Sequence, residues 1–522
     1  MAKFLYGAAV QGIQGFIFQT NKLREIVGAS ELVKEICESL FEETVGGKYR
    51  EYENEEGGGS ILHAAGNIKY LFTSKEECEK VVRVFPKKVS DFAPGITISQ
   101  AVVEMKGELE SFADAVNELE NRLRIQRNKP VRNLNVGLMG IERSRQTGLP
   151  IISKKDAEGK LSEIDASTWA KLYEYDRREN QVRKRTTLEL SKKAFDIKDL
   201  KTKQVAFEIS DICDKNNWVA VVHADGNGLG SIVQKIGTDP LKFKTFSENL
   251  DKATTSAAVD AFESVKDKFD GVEVIPIRPI VLGGDDLTII CRADIAVDYT
   301  KAFLDAFEKK TSELLRSEID EVFEGAEKGG LTACAGIAFI KSSYPFYYGY
   351  ELAEDLCSAA KGDAKNSVEI KEGKRLPLSC LMFHKVQDSF VEGYKDMVER
   401  ELKPCEGVSF QFGPYYLKEK EGKWTIEKLL DKVKYLESEK GNAIKSHLRN
   451  WLTLLHDDKN LADQKLQRLK SLLSETDEKF VSYITKPVTR LEKDKDDNNI
   501  EVNYYPVYDM LAINTVINQE TI

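Results

Sequence analysis

No two of the eight cysteines stand in a CxxC pair, and none shares zinc-finger spacing with a histidine. They lie singly at positions 37, 78, 213, 291, 334, 357, 380 and 405, the pattern of reduced, mostly buried thiols. No apolar run approaches the length of a membrane-spanning helix, and the opening MAKFLYGAAVQGIQGFIF lacks the charged start and small-residue cleavage site of a signal peptide. A cytoplasmic protein without membrane association is expected. A positive charge balance is missing too. Lys and Arg total 76 against 86 Asp and Glu, a formal net charge of −10, so any contact with nucleotides or nucleic acid must come from local patches. What is present is length and apolar content: 522 residues, 41% of them hydrophobic, suffice for three or four domains.

Residues 1–130 alternate strand-like and helix-like patterns: FLYGAAV extended, TNKLREIVGASELVKEICESLFEE helical, SILHAAGNIKYLFT two strands about a turn, then helix, strand and helix. Residues 131–204 are polar and irregular, with Arg177, Arg178, Arg183, Lys184, Arg185, Lys192 and Lys193 crowded together. They read as a connector with a solvated basic run and no aromatic platform for RNA. Over 205–375 the alternation restarts, from NWVAVVHAD through the hairpin VEVIPIRPIVL-GGDD-LTIICRA to LTACAGIAFI and a final helix. Strand, helix, hairpin, helix, strand is a ferredoxin-like order with helices on one face of an antiparallel sheet. Residues 376–522 are mostly helical, as the spacing of Ile444, Leu448, Trp451, Leu452 and Leu455 indicates. The expected fold class is α+β: two ferredoxin-like palm domains, a connector and a helical C-terminal domain.

The two halves look like copies. LHAAGNIKYLF (62–72) aligns without gaps on VLGGDDLTIIC (281–291), placing Gly66 and Asn67 where Asp285 and Asp286 stand. With a one-residue gap AVQGIQGFI aligns on HADGNGLGSI, which sets Gln11 at the place of Asp225. The first copy thus lacks all three acids.

Asp225 ends a strand, and Asp285 and Asp286 sit at the tip of the following hairpin. In a ferredoxin-like sheet these strands are neighbours, so the three carboxylates converge at one edge. Hard oxygen donors without histidine or thiolate suit Mg²⁺ or Mn²⁺, and such ions activate a hydroxyl and stabilise a departing pyrophosphate. Gly283 and Gly284 permit a tight turn and close approach of a triphosphate. Lys361 and Lys365, one helical turn apart, are candidates to reach its β- and γ-phosphates. Gly-Gly-Asp-Asp alone also makes an ordinary hairpin turn, Asp225 alone a helix cap, and the Lys pair alone a solvated face; the conjunction of the three acids favours the metal site. His223 shares the face of Asp225 but reads as a neighbour, not a ligand.

These motifs, ADGNGLG with LGGDD, VQGIQGFIFQTNKLREIVGAS in the first palm and TGLP in ERSRQTGLPII, resemble the large polymerase-like subunit of type III CRISPR effectors and its stand-alone relatives. Weaker likeness continues through SCLMFHKV, FGPYYL and YYPVYDMLAI. The resemblance implies joining of nucleoside triphosphates into cyclic oligonucleotides between two palms. Carried over by residue, Asp225, the Gly226 carbonyl, Asp285 and Asp286 would hold metal. Asn227, Gly228, Gly283, Gly284, Lys361 and Lys365 would hold nucleotide, as would Gly28, Ala29 and Ser30 in the first palm. The palm pattern begins at the first residues without a His-Asp nuclease domain, and the connector has Arg143 and Arg145 but no cysteine, so neither nuclease activity nor zinc is expected. Val233 stands where GGDEF-type cyclases carry a guanine-reading Asn, which weakens a c-di-GMP assignment.

The expected function is a nucleotidyltransferase that makes a cyclic di- or oligonucleotide messenger for antiphage defence. ATP is favoured with the base left open, and an activating nucleic acid or small molecule is a candidate partner. A subunit of an RNA-guided effector and a non-catalytic nucleotide sensor are the alternatives.

Overall fold

In the computed structural model, residues 3–54, 56–64, 66–105, 112–129, 140–176, 179–213, 215–237, 239–323, 329–366, 375–388, 393–493 and 499–517 are described. Arg177 and Arg178 lie outside them.

The first palm is built from β1 (Lys3–Gln11), the short α1 (Ile13–Ile17), α2 (Leu23–Glu35), β2 (Gly59–Ala64), β3 (Asn67–Phe72), α3 (Lys75–Phe92), β4 (Thr97–Met105) and α4 (Phe112–Arg127). Its sheet is antiparallel with order β2-β3-β1-β4, the ferredoxin-like arrangement. Strand alternation sends Tyr6, Ala8 and Val10 towards α2 and α3, and Leu5 with Val103 towards Leu119 and Leu123 of α4. Gly7 is required beneath α4, because a Cβ there would lie 2.8 Å from Leu119 Cδ2.

The connector contributes α5 (Ala166–Leu172) and α6 (Glu189–Phe195). The TGLP segment is tied into it: Thr147 Oγ1 donates to Asp165 Oδ2 at 2.8 Å, and Gln146 Nε2 donates to the buried Glu25 Oε2 at 2.8 Å. Lys171, buried, donates through Nζ to the Phe16 carbonyl at 2.8 Å.

The second palm comprises β5 (Trp218–Gly226), α7 (Leu229–Ile236), α8 (Pro240–Val265), β6 (Ile277–Gly283), β7 (Asp286–Arg292), α9 (Ala296–Leu314), β8 (Ala333–Lys341) and α10 (Phe346–Ala364). Asp239 caps α8 by accepting from the Leu241 and Lys242 amides, with Pro240 in the first turn. The sheet runs β6-β7-β5-β8 and continues past residue 375 with β9 (Cys380–Lys385), parallel to β8, and β10 (Tyr415–Tyr416). Helices α11 (Ile426–Glu437), α12 (Glu439–Asp457), α13 (Lys459–Leu472) and α14 (Glu475–Ile484) follow, then the hairpin β11 (Val488–Lys493) and β12 (Asn499–Tyr504), and α15 (Val507–Ile517).

Helices cover both faces of this sheet, not the one expected. Ala220, Val222 and Ala224 pack under α8 and α9, while Val219 and Val221 share a core with Phe346 and Tyr350 of α10 and with Ile26 and Ala29 of the first palm. The reason is that β5 is apolar on both sides, and a bare face would expose it to water.

The registers confirm the internal repeat and correct one pairing. Both hairpins carry a bulge at the same step, between Ser60 and Leu62 and between Pro279 and Val281. Ile68 pairs with Ala8 as Leu287 pairs with Ala224, so the counterpart of Asp225 is Ala9. Gln11, expected at that place, matches Asn227. In the same frame Gly12 (φ 66°) matches Gly228 (φ 84°), and each is the left-handed residue that starts the next helix.

Gly28 marks the seam between the first palm and the connector. A Cβ there would lie 1.9 Å from the Lys171 carbonyl oxygen, a backbone atom that cannot move aside cheaply. Gly28→Ala is expected to destabilise the protein by about 2–3 kcal/mol, read as a lowered urea midpoint.

Candidate active site

β5 delivers Asp225 at its C-terminal end, and the register Leu287↔Ala224 sets Asp286 beside it on β7. Asp285 occupies the two-residue turn Gly284–Asp285. Gly284 takes φ 61°, and its carbonyl accepts from Thr254 Oγ1 of α8 at 2.5 Å. One oxygen from each of the three carboxylates lies within 4.8 Å of the others. This closeness depends on Gly226, where a Cβ would meet that of Asp285 at 2.8 Å.

Packing like charges at a half-buried edge has the expected electrostatic effect. Burial first, then the neighbouring Asp285 and Asp225, pushes Asp286 up to about 8. Burial and Asp225 likewise raise Asp285. The donor set is all oxygen and demands positive charge, which fits a hard divalent cation such as Mg²⁺ or Mn²⁺.

Lys361 answers that demand within the chain. Its ammonium forms an ion pair with Asp225 Oδ2 and donates to the Gly226 carbonyl at 2.9 Å. It therefore sits on two of the expected metal ligands, not out over a phosphate. Lys365 is exposed at the end of α10 and does not line the cleft described below. His223 lies beneath, with Nδ1 3.0 Å from Thr288 Oγ1, and burial lowers its pKa to about 4, so it is neutral.

Asp225 and Asp286 border a cleft of about 700 Å³ between the two palms. Gly283, His223 and Thr288 line its second-palm side, and Gly12, Gln14, Gly15 and Ser30 its first-palm side. Of the GAS stretch only Ser30 faces the cleft, and its hydroxyl donates to the Ile280 carbonyl of the second palm. Gly28 and Ala29 are buried in packing. Asn227 is also spent internally: it is buried, with Nδ2 donating to Thr332 Oγ1 at 3.1 Å and to Cys334 Sγ at 3.4 Å. Gly228 is hemmed in, since a Cβ would lie 2.3 Å from Leu376 Cδ2.

Three cleft residues escaped sequence reasoning. Lys193, assigned to a solvated basic run, reaches the cleft and pairs with Asp251 at 2.8 Å. Lys244 of α8 also lines it and pairs with Glu51 of the first palm at 2.7 Å. Gln14 crosses between palms, donating to Tyr350 Oη at 3.1 Å and Glu354 Oε1 at 3.0 Å. Only the basic character of Lys193 and Lys244 gave any signal; their placement is long-range packing.

A duplicated ferredoxin-like sheet with three acids in one copy defines a double-palm protein. Residues 218–369 match the family model described as Cas10/Cmr2, second palm domain, so the second palm is Cas10-like. Among solved structures the chain is similar to a Csm1-Csm4 cassette in complex with cA4, with TM-score 0.54 and 12% identity over 99% of this chain and 69% of that one. It is similar also to a Csm1-Csm4 cassette in complex with cA3, with TM-score 0.52 and 13% identity over 99% and 69%. A cassette in complex with pppApA matches over 70% of this chain and 53% of that one, at 13% identity and TM-score 0.45. The chain thus spans about half to two thirds of the length of these structures. No curated protein matches the sequence. Among the described residues no helix is long and apolar enough to cross a membrane.

The raised carboxylates fix a pH dependence. From an ordinary value of 3.8 in the unfolded chain, Asp286 rises to about 8 in the fold, so the folded state holds its proton more tightly. Without divalent cation, stability therefore falls as pH increases from about 4 to about 8. Thermal melts in EDTA are expected to show this fall, and Asp285→Asn with Asp286→Asn to flatten it. Lys361→Met is expected to steepen it, because the acids lose their internal counter-charge.

Proposed function

We propose that the protein is a nucleotidyltransferase that joins nucleoside triphosphates into a cyclic di- or oligonucleotide. The observation that carries this reading is the convergence of Asp225, Asp285 and Asp286 at one sheet edge, with Asp225 and Asp286 on the wall of a cleft shared by two palms. Asp225, Asp285, Asp286 and the Gly226 carbonyl would hold Mg²⁺ or Mn²⁺. When bound, the ions supply Lewis acidity that lowers the pKa of the attacking ribose hydroxyl and steadies the leaving pyrophosphate.

The chain's own residues do the rest. Gly283 and Gly284 carry no side chain on the hairpin arm leading to Asp285, so a triphosphate can approach the backbone there. Lys193 and Lys244 place ammonium groups on the cleft wall, where phosphate oxygens can exchange for Asp251 and Glu51. Lys361 must release Asp225 and Gly226 when cation enters, and its freed ammonium is then within the site for the triphosphate. The first palm, without acids, shapes the acceptor side through Gly12, Gly15 and Ser30. Neutral His223 orients without adding charge. The cA4 and cA3 of the similar cassettes make ATP the first substrate to test, and antiphage signalling is the proposed setting.

Purified protein incubated with each NTP and Mg²⁺ or Mn²⁺ is expected to release pyrophosphate and yield a cyclic product by mass spectrometry. Asp285→Ala with Asp286→Ala is expected to abolish both while the protein stays folded; retained turnover in that variant sinks the assignment. Binding without turnover under every condition marks a sensor, and turnover only with added RNA marks an effector subunit.

A further inference from the structure

A second recess, about 650 Å³, opens where the C-terminal helices meet the far end of the palm sheet. It shares no lining residue with the cleft between the palms. Along β5, Asp225 stands seven positions beyond Trp218, about 23 Å at the rise of a strand.

The recess has an unusual charge arrangement. Lys385, at the end of β9, contributes a half-buried ammonium whose one described partner is the Trp218 ring, 5.0 Å from Nζ to the centroid. Lys341 lies over that ring at 4.0 Å and donates to the Asn216 carbonyl. Arg449 of α12 faces the recess with only a 3.5 Å contact to Thr515 Oγ1. Burial, then Arg449 and Lys341, pulls Lys385 down to about 8, so the charges acting on it are positive.

The carboxylates on the wall are engaged elsewhere. Arg400 donates to Asp388 and to Glu401, each at 2.9 Å, and Glu401 also lies 3.4 Å from His384 Nε2. Asp457 is at the exposed rim. Lys385 and Arg449 are therefore left without a carboxylate among the described residues. The same recess has an apolar lining: Tyr508 stacks on Phe410 with centroids 5.2 Å apart, and Leu452 and Leu511 join them.

We propose that this recess binds a small phosphate-bearing ligand, its phosphate held by Lys385 and Arg449. A half-buried ammonium and a guanidinium lining one recess, with no carboxylate paired to either, attract an anion, and a guanidinium offers paired donors to phosphate oxygens. The volume suits a ligand of nucleotide size, and the Tyr508 wall offers a face on which a base can lie. Inorganic phosphate and a nucleoside monophosphate are the two sources of this chemistry. The site does not depend on the three acids or on the reaction proposed for them.

The test is isothermal titration of the full chain in EDTA with inorganic phosphate and AMP as separate probes. It compares wild type with Lys385→Gln, Arg449→Gln and the double variant Asp285→Ala, Asp286→Ala. Each recess variant is expected to weaken binding about tenfold or more, since a charge-assisted hydrogen bond is lost, and the double variant to leave this binding unchanged. Arg449 is exposed, so its variant keeps the fold. Tighter binding of AMP than of phosphate assigns the apolar wall to the base, and equal binding assigns recognition to phosphate alone. The proposal is overturned if neither probe binds wild type at millimolar concentration, or if both recess variants bind as wild type does.

Discussion

Three carboxylates pressed together at one sheet edge are the constraint around which the second palm is organised. Two unit charges 4 Å apart repel by about 4 kcal/mol at the effective dielectric of a protein surface, so the cluster exists only because the scaffold holds it. Gly226 gives Asp285 room, Thr254 pins the turn by its Gly284 carbonyl, and β7 fixes Asp286 beside β5. Lys361 then supplies one positive charge from α10, which lets the fold form before any divalent ion arrives. A cluster satisfied from within is also one that must be opened before a divalent ion can reach Asp225 and the Gly226 carbonyl.

The duplication separates what the fold needs from what the chemistry needs. Both palms carry the edge-strand bulge and the left-handed glycine after the first strand, so these belong to the scaffold. The acids occur in one copy only. Their loss is matched by a swap of bulk: the second palm sets Gly226 against Asp285, whereas the first sets Val10 near Gly66, whose Cβ position would lie 3.6 Å from that of Val10. Only the second palm needs a glycine for that contact, and its carboxylates stand where the first palm presents the methyl-bearing wall of Val10 to the cleft.

The acids were legible in the sequence because hairpin and strand-end motifs are local, and an ungapped match of eleven residues fixes the hairpin's register. The strand β1 match was not, because DGNG and VQGI differ in side chains while sharing a backbone path; only the cross-strand pairing shows that Ala9, not Gln11, stands for Asp225. Asn227 and Gly28 carry the right motif letters yet serve packing, since their surroundings, Thr332 and Lys171, come from distant segments. Lys193 fails in the opposite way. Its basic neighbourhood reads as solvated, and the turn of α6 that carries it over the cleft has no local signature.

The cleft's position follows from which faces remain apolar. β5 is hydrophobic on both sides, so the first palm and α10 must cover the side that α8 and α9 do not. That packing brings α2 across the second sheet, with Ser30 bonded to the carbonyl of Ile280, the residue of the bulge. Gln14 adds a second tie, from α1 to Tyr350 and Glu354 on the helix that carries Lys361. The first palm therefore touches both the strand leading to the acid-bearing turn and the helix bearing the counter-charge. The two ties thus hold the first palm against both sides of the acid cluster. A degenerate copy serves in this geometry as a wall of the cleft and as a brace on α10 and β6, roles for which it needs no acids of its own.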